Sequence, residues 1–162
     1  MLTMLALSLA LPLPGVAIPG PCDLLSRAAA NELLGEQVTT PTPSGPELDE
    51  DTGGTRTTCV YQGGTRMLIV VRVVFGSPAA AREATTRELV AERYGEGADD
   101  FTMTEEPGLG DAAFWAFSPR AADFIVVKGA TVLGLILGGM PKEPSTYHAQ
   151  LRAATTTAMT KL

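Results

Sequence analysis

The sequence has few of the side chains on which metal binding and acid–base catalysis usually depend. Its 162 residues include one histidine, His148, and two cysteines, Cys22 and Cys59. A structural zinc site takes four ligands, and this set falls short of that number. A catalytic thiol requires a nearby base, and the sequence places none beside either cysteine. We therefore expect no metal site, no cofactor and no catalytic cysteine.

Positive charge is also scarce. The chain has 12 basic against 18 acidic residues, a formal net charge of −6, and only 19% of its residues are charged. Such a surface repels the phosphates of nucleic acids and anionic lipid headgroups. The sequence therefore predicts no nucleic-acid partner and no membrane binding through a basic patch. Its length predicts a single domain.

The sequence lacks an apolar run long enough to span a membrane, so none is expected in the mature chain. Residues 2–16 are uncharged, but Pro12 and Pro14 interrupt them, and a membrane span needs about 20 apolar residues. A short apolar run followed by small residues is typical of a secretory signal peptide. We predict a signal peptide at 1–17, cleaved after Ala17, and a mature domain at 18–162. A buried N-terminal helix or strand is the alternative.

The predicted export of the protein determines how its two cysteines are interpreted. Cysteines in an oxidising compartment pair, so we expect a Cys22–Cys59 disulfide in a protein that is secreted or held in the cell envelope. A metal site that uses both thiols and His148 is the rival interpretation. Lipid attachment at Cys22 is disfavoured, because Pro21 stands where a lipoprotein signal has a small residue.

Apolar periodicity and turn-forming residues predict nine elements in the order α-β-β-α-β-β-β-β-α. Most connections are too short for parallel crossovers. The sequence therefore predicts an α+β fold, with a mainly antiparallel sheet of about six strands and helices packed on one face. The helices are expected at 22–34, 77–94 and 146–161, and the strands at 58–62, 67–75, 99–105, 112–117, 123–128 and 131–137.

The segment 36–57 is predicted to be a flexible surface loop. It is rich in proline, glycine and threonine, and it contains the acidic run 47–51. A solvated acidic loop is the default interpretation of that run. Calcium binding is the alternative, although no acidic residue follows at the position that would close a calcium loop.

A turn followed by aromatic residues gives the candidate binding surface. Residues 107–111 precede a strand on which Trp115 and Phe117 share one face while Phe114 takes the other. The turn is explained by a glycine with positive φ and by Asp111 bonding to backbone amides. If Phe114 packs inward, the other two aromatics form an exposed recognition patch; otherwise they belong to the core. The candidate surface consists of Gly108, Gly110, Asp111, Trp115 and Phe117.

The motifs, in their order, resemble a group of uncharacterised exported bacterial proteins, many of them actinobacterial cell-envelope lipoproteins. The matching segments are Pro21-Cys22-Asp23-Leu24-Leu25, Leu33-Leu34-Gly35, Thr58-Cys59-Val60-Tyr61, Gly108-Leu109-Gly110-Asp111-Ala112-Ala113 and Val126-Val127-Lys128-Gly129. The resemblance implies a disulfide between the matching cysteines and an envelope location. It implies no activity. The chain differs from the lipoprotein members at Pro21.

We interpret the sequence as that of a monomeric, non-catalytic binding or interaction module of the cell envelope. Its partner is expected to be an envelope protein or a small apolar ligand that contacts a sheet face. One alternative is a small secreted hydrolase that uses His148. The other is a structural component of the envelope.

Overall fold

A computed structural model of the chain describes residues 19–92, 100–139 and 143–162. The predicted signal peptide at 1–17, with its cleavage site after Ala17, lies outside these residues. The described residues form one seven-stranded antiparallel sheet in the order β1-β2-β3-β7-β6-β5-β4. The strands are β1 (Thr42–Leu48), β2 (Thr55–Gln62), β3 (Met67–Val74), β4 (Thr102–Glu105), β5 (Ala112–Phe117), β6 (Ala121–Lys128) and β7 (Thr131–Gly138), and the helices are α1 (Arg27–Leu34), α2 (Pro78–Glu83), α3 (Arg87–Glu92) and α4 (His148–Met159).

Strands β3, β7 and β6 form the centre of the sheet. The β2–β3 hairpin turns at residues 63–66. The β6–β7 hairpin turns at residues 129–130, and it pairs Phe124 with Leu135 and Val126 with Leu133. Each hairpin joins two of the predicted strands, and the predicted α+β, mainly antiparallel fold class is confirmed.

The two faces of the sheet are covered unequally. Leu68, Val70, Phe124 and Leu135 lie on the face against which α1 and α4 pack, and all four are fully buried. We call this the closed face. Alternate residues such as Ile125 point to the opposite side, which we call the open face, and there α2 and α3 cover one end. Helices therefore lie on both faces rather than on one, because the central strands are apolar on both sides.

Strand β1 corrects the prediction of a loop at 36–57. It pairs with β2 along the edge of the sheet, and every one of its residues is exposed. Pro43 and Pro46 lack the N–H that a central strand must donate, so they are tolerated at an edge. The register shifts between Ser44 and Glu47. Without apolar alternation, the sequence carries no signal for this seventh strand.

The helix predicted at 77–94 is two short helices. The Ser77 hydroxyl caps α2 by accepting the amide of Ala80 at 3.2 Å. The chain leaves the helix at Ala84, and the Thr85 hydroxyl donates to the carbonyl of Arg82 at 2.9 Å. Threonine side chains that bond to the local backbone compete with helix formation. The end predicted for this helix lies outside the described residues.

The disulfide Cys22–Cys59 joins the N-terminal segment to the sheet, which confirms the predicted pairing. The two Cα atoms are 5.0 Å apart. Cys22 lies in a short 3₁₀ turn, Pro21–Asp23, ahead of α1, and Cys59 lies in β2. Two residues on, the Tyr61 hydroxyl donates to the carbonyl of Leu25 and lies 3.1 Å from that of Cys22. The same part of β2 is therefore attached to the N-terminal segment by a covalent bond and by hydrogen bonds.

We expect the Tyr61 hydroxyl to ionise at a higher pH than an exposed tyrosine. Burial, with a smaller contribution from the Asp23 charge, raises the pKa of Tyr61 to about 12. An unfolded tyrosine ionises at about pH 10. Because the folded pKa is the higher one, the stabilisation from Tyr61 is complete below about pH 10 and is lost as the pH rises through about 12.

The phenolate absorbance of the protein and of its Tyr61→Phe variant measures this. The difference between the two titration curves should have its midpoint near pH 12. A midpoint near pH 10, with circular dichroism still native, would contradict the burial of this hydroxyl.

Candidate functional site

Trp115 does not form an exposed patch, which corrects the hypothesis that it contributes to an open aromatic surface. Only 5% of it is exposed. Its ring centroid lies 5.0 Å from that of His148 in an edge-on contact and 6.4 Å from that of Phe124. Phe117 is half-buried and packs against the same cluster, whereas Phe114 lies on the open face. The aromatic pair therefore belongs to the core of the closed face.

The turn at 107–111 is held to the neighbouring β6–β7 turn. The carboxylate of Asp111 accepts the amide of Gly129 at 2.6 Å, and the amide of Asp111 donates to the carbonyl of Val127 at 2.7 Å. Gly110 has φ +63°, and a Cβ there would lie 2.4 Å from the Val127 oxygen. Gly108, at φ +80°, is exposed. The close approach of two backbones explains this turn without a ligand.

An ionic cluster fixes the start of that turn to α4. One oxygen of the Glu106 carboxylate lies 2.8 Å from His148 Nε2, and the other accepts from Arg152 Nη1 at 2.7 Å. Arg152 also donates to the carbonyl of Pro107 at 3.0 Å. Glu106 and Arg152 were not among the candidate residues predicted from the sequence, although the i, i+4 spacing of His148 and Arg152 places both on one helix face.

This cluster gives the hydrolase hypothesis no nucleophile. In the described ranges, no serine or threonine hydroxyl bonds to the His148 ring, and both cysteines are in the disulfide. A Ser-His-Asp set needs the hydroxyl and the imidazole within hydrogen-bond reach. The contacts of His148 are those of a side chain that positions a turn.

Two residues of the acidic run 47–51, Glu47 and Asp49, make structural contacts. Asp49 is buried, and it accepts the amide of Thr52 at 3.3 Å. Arg56 Nη2 lies 3.0 Å from the carboxylate of Glu47, and Arg56 Nη1 lies 3.8 Å from that of Asp49. Among the residues for which positions are given, no group of three or more His, Cys, Asp or Glu side chains could hold a metal ion.

The open face carries an apolar cavity, which we call the sheet groove. Its volume is about 270 Å³. Its walls are the open-face side chains of β2, β3, β6 and β7, together with the turn after β1. The lining residues are Asp49, Arg56, Thr58, Ile69, Val71, Val73, Asp123, Ile125, Val132, Gly134 and Ile136.

In the residues that the structure describes, the helices on this face cover only one end of the sheet. Ile69, Val71 and Ile136 are only half-buried, whereas their neighbours along the same strands, such as Leu68 and Leu135, are fully buried on the closed face. Helix α2 contacts β6 and β7, and its apolar cluster with α3 covers Val73, Ile125 and Val132 at one end. Half-buried apolar side chains such as these form a surface that a ligand can cover.

A carboxylate and a glycine interrupt the apolar floor of the sheet groove. Asp123 carries a charge, yet it lies within the sheet and is only 4% exposed. Gly134 pairs with Val71 on one side and with Ile125 on the other. A Cβ at Gly134 would lie 3.3 Å from one Asp123 oxygen and 3.8 Å from the other. The Asp123 carboxylate therefore packs over Gly134, and a larger residue at that position would crowd it.

A second apolar cavity, the helix groove, lies between α1 and α4 on the outside of the closed face. Its volume is about 320 Å³. Ala29, Leu33 and Ala154 contribute apolar surface, and its charged side chains, Glu32 and Lys161, are exposed. Small-molecule sites combine apolar walls with a few placed polar groups. The sheet groove has such a buried polar group, whereas the charged groups of the helix groove are solvated.

These features define a class of domain: one antiparallel sheet, one disulfide, a closed face under two helices, and an open face with an apolar groove. In the described residues no helix is long and apolar enough to cross a membrane.

The same architecture occurs in a solved structure, the extracellular domain of PknH from Mycobacterium tuberculosis. The match has a TM-score of 0.54 at 12% identity and covers 86% of this chain and 94% of that chain. It shows a shared fold. A second solved structure, a putative uncharacterized protein (Rv0999 ortholog) from Mycobacterium smegmatis, aligns over 83% of this chain and 97% of that one at 11% identity, with a TM-score of 0.35. No family model and no curated protein matches the sequence.

Proposed function

We propose that this protein is an exported, non-catalytic binding module of the cell envelope that takes a small apolar ligand into the sheet groove. The observation that carries the proposal is the half-buried row of Ile69, Val71 and Ile136 on a sheet whose other face is fully packed. A sheet face that served only stability would be covered by a helix or would carry polar side chains.

Three observations support the exported location. The disulfide Cys22–Cys59 is of a kind that persists in oxidising compartments. The apolar run at 2–16 fits a signal peptide. The fold is shared with an extracellular domain. We propose that the mature protein is secreted or held in the envelope as a monomer, without a lipid on Cys22.

The shape of the sheet groove favours a small ligand over a protein partner. Its volume of about 270 Å³ is close to the lower end of the range of about 300–1,000 Å³ for small-molecule sites. Protein interfaces of standard size bury roughly 800 Å² on each partner. Such a site only has to bind its ligand, so no residue of the sheet groove is assigned a catalytic role.

The test is calorimetric titration with n-octanol, a neutral apolar probe, of the protein and two variants. Ile69→Trp places an indole in the sheet groove, and aromatic residues are well tolerated in strands. Ala153→Trp places the same side chain in the helix groove, and Ala153 is exposed on α4. We expect Ile69→Trp to weaken octanol binding at least tenfold and Ala153→Trp to leave it unchanged.

The opposite pattern, binding lost in Ala153→Trp and kept in Ile69→Trp, would move the site to the helix groove. Absence of octanol binding by the unaltered protein would reject the proposal and favour a structural role in the envelope. Thermal unfolding of both variants establishes that each keeps its fold.

A further inference from the structure

We propose that the outer edge of strand β4 is a docking site for a partner protein, which adds an extended segment with an acidic side chain to the sheet. This site is separate from the sheet groove, so the inference goes beyond the proposed function. It is carried by an unpaired and unprotected sheet edge and by two guanidinium groups beside it.

The first observation is that the outer edge of β4 has unpaired backbone groups. Strand β4 is the last strand of the sheet and pairs with β5. Glu106, which continues this ladder, donates its amide to the carbonyl of Ala113 at 2.8 Å. The direction of the backbone groups alternates along a strand, so those of Met103 and Glu105 point away from β5. In the described ranges, no hydrogen bond uses the N–H or C=O of either residue.

The second observation is that this edge is unprotected, unlike the opposite one. Proteins protect edge strands from pairing with other chains by prolines and bulges. Strand β1 has both, since it contains Pro43 and Pro46 and its register shifts between Ser44 and Glu47. Strand β4 contains no proline, and it pairs with β5 without a shift. Three of its four residues are exposed, so a further strand can reach it and form the backbone hydrogen bonds of an extended sheet.

The third observation is a pocket beside this edge on the open face, with a volume of about 350 Å³. Its apolar lining residues include Met103 and Phe114, and its charged lining residues are Arg82, Arg87 and Glu105. In an added strand, every second side chain points to the face on which Met103 lies. The pocket can therefore take a side chain of that strand.

The fourth observation is that the two guanidinium groups have no carboxylate partner. Among the residues with described positions, none forms an ion pair with Arg82 or Arg87. Arg87 donates to the carbonyl of Phe101 at 2.9 Å, and its guanidinium lies 5.2 Å from the centroid of that ring. Arg87 therefore lies at the Phe101 end of β4, and Glu105 lies at the other end. Two guanidinium groups against one carboxylate favour an acidic side chain in the added strand.

The experiment measures the binding of two fluorescein-labelled peptides by fluorescence anisotropy. The acidic peptide is Val-Thr-Glu-Thr-Val, and the basic peptide has lysine in place of glutamate. In an extended strand the charged side chain and the two valines share one face. We expect the acidic peptide to bind about fivefold more tightly than the basic one at low ionic strength, and we expect added salt to reduce this difference.

Three variants assign the binding to this edge. Met103→Pro removes an outward N–H, and an edge strand tolerates proline where the N–H faces solvent. It should weaken binding of the acidic peptide at least about tenfold, because the donor is lost and the ring obstructs the incoming strand. Arg82→Gln should reduce the preference for the acidic peptide. Lys128→Gln removes the same charge at the exposed end of β6, and this control should leave the preference unchanged.

Failure of the unaltered protein to bind either peptide would overturn the inference, and so would equal binding of both. The same holds if Met103→Pro binds the acidic peptide as tightly as the unaltered protein does. If that variant does not fold, amide hydrogen exchange of the unaltered protein decides. Saturation with the acidic peptide should slow exchange at Met103 and Glu105, and unchanged exchange at both amides would exclude this edge as the docking site.

Discussion

Replacing Cys22 and Cys59 together by alanine should lower the free energy of unfolding by about 4 kcal/mol. The disulfide joins residues 37 apart in the sequence, and closing a loop of that length restricts the unfolded chain by about this amount in the loop-entropy account. For a domain of this size, the loss corresponds to a decrease in Tm of roughly 10 °C. It is a large share of a stability of about 5–15 kcal/mol.

Denaturant unfolding of the double variant, beside the oxidised parent protein, measures this effect. The double variant leaves no free thiol that could form intermolecular disulfides. Reduction of the parent protein should give the same loss, since it opens the same loop. A loss below about 1 kcal/mol for both would contradict the account in which the disulfide holds the N-terminal segment against β2.

Leu135→Ala should be much more destabilising than Ile136→Ala, although the two residues are adjacent in β7 and lose similar side-chain volume. Leu135 is fully buried on the closed face, whereas Ile136 is half-buried in the sheet groove. Truncation of a buried leucine costs about 2–5 kcal/mol, since it adds a cavity to the lost burial. Water already reaches Ile136, so we expect Ile136→Ala to lower the free energy of unfolding by only about 1 kcal/mol.

The same pair separates stability from binding. Ile136→Ala removes apolar wall from the sheet groove and should weaken octanol binding, while Leu135→Ala should leave the affinity of the folded fraction unchanged. Equal losses of stability for the two variants would mean that both faces of the sheet are packed alike, and the open face would not exist.

Most of the fold follows from local signals in the sequence. Gly63 and Gly64 between two apolar runs predict the β2–β3 hairpin, and Gly129 and Ala130 fix the register that pairs Phe124 with Leu135. Ser77 followed by proline marks the start of α2. Each of these signals acts within a few residues, where turn geometry and capping dominate.

Strand β1 could not be predicted in this way, because its pairing with β2 is what makes it a strand. Its residues Thr42–Leu48 contain two prolines and one glycine and have every residue exposed. Local preference argues against a strand in such a segment. Its backbone hydrogen bonds to β2, at the edge of the sheet, override that preference.

The candidate site could not be predicted from the sequence without knowing which face of the sheet each helix covers. Alternation in β5 separates Trp115 from Phe114, but it does not tell which side is packed. Because α4 covers the closed face, Trp115 lies in the core and the groove forms on the other side. The groove combines Asp49 with Asp123 and Gly134, which are far apart in the sequence. No spacing pattern connects such residues, whereas the aromatic pattern of β5 pointed to Trp115 and Phe117.

The sheet groove as ligand site is tested most directly by two-dimensional amide NMR of the isotope-labelled protein titrated with n-octanol. The amides of Val71, Ile125 and Gly134, on three neighbouring strands, should shift together and saturate at one ligand equivalent. Shifts confined to α1 and α4, or a titration that leaves those three amides in place, would contradict the assignment of the open face as the place where this protein binds.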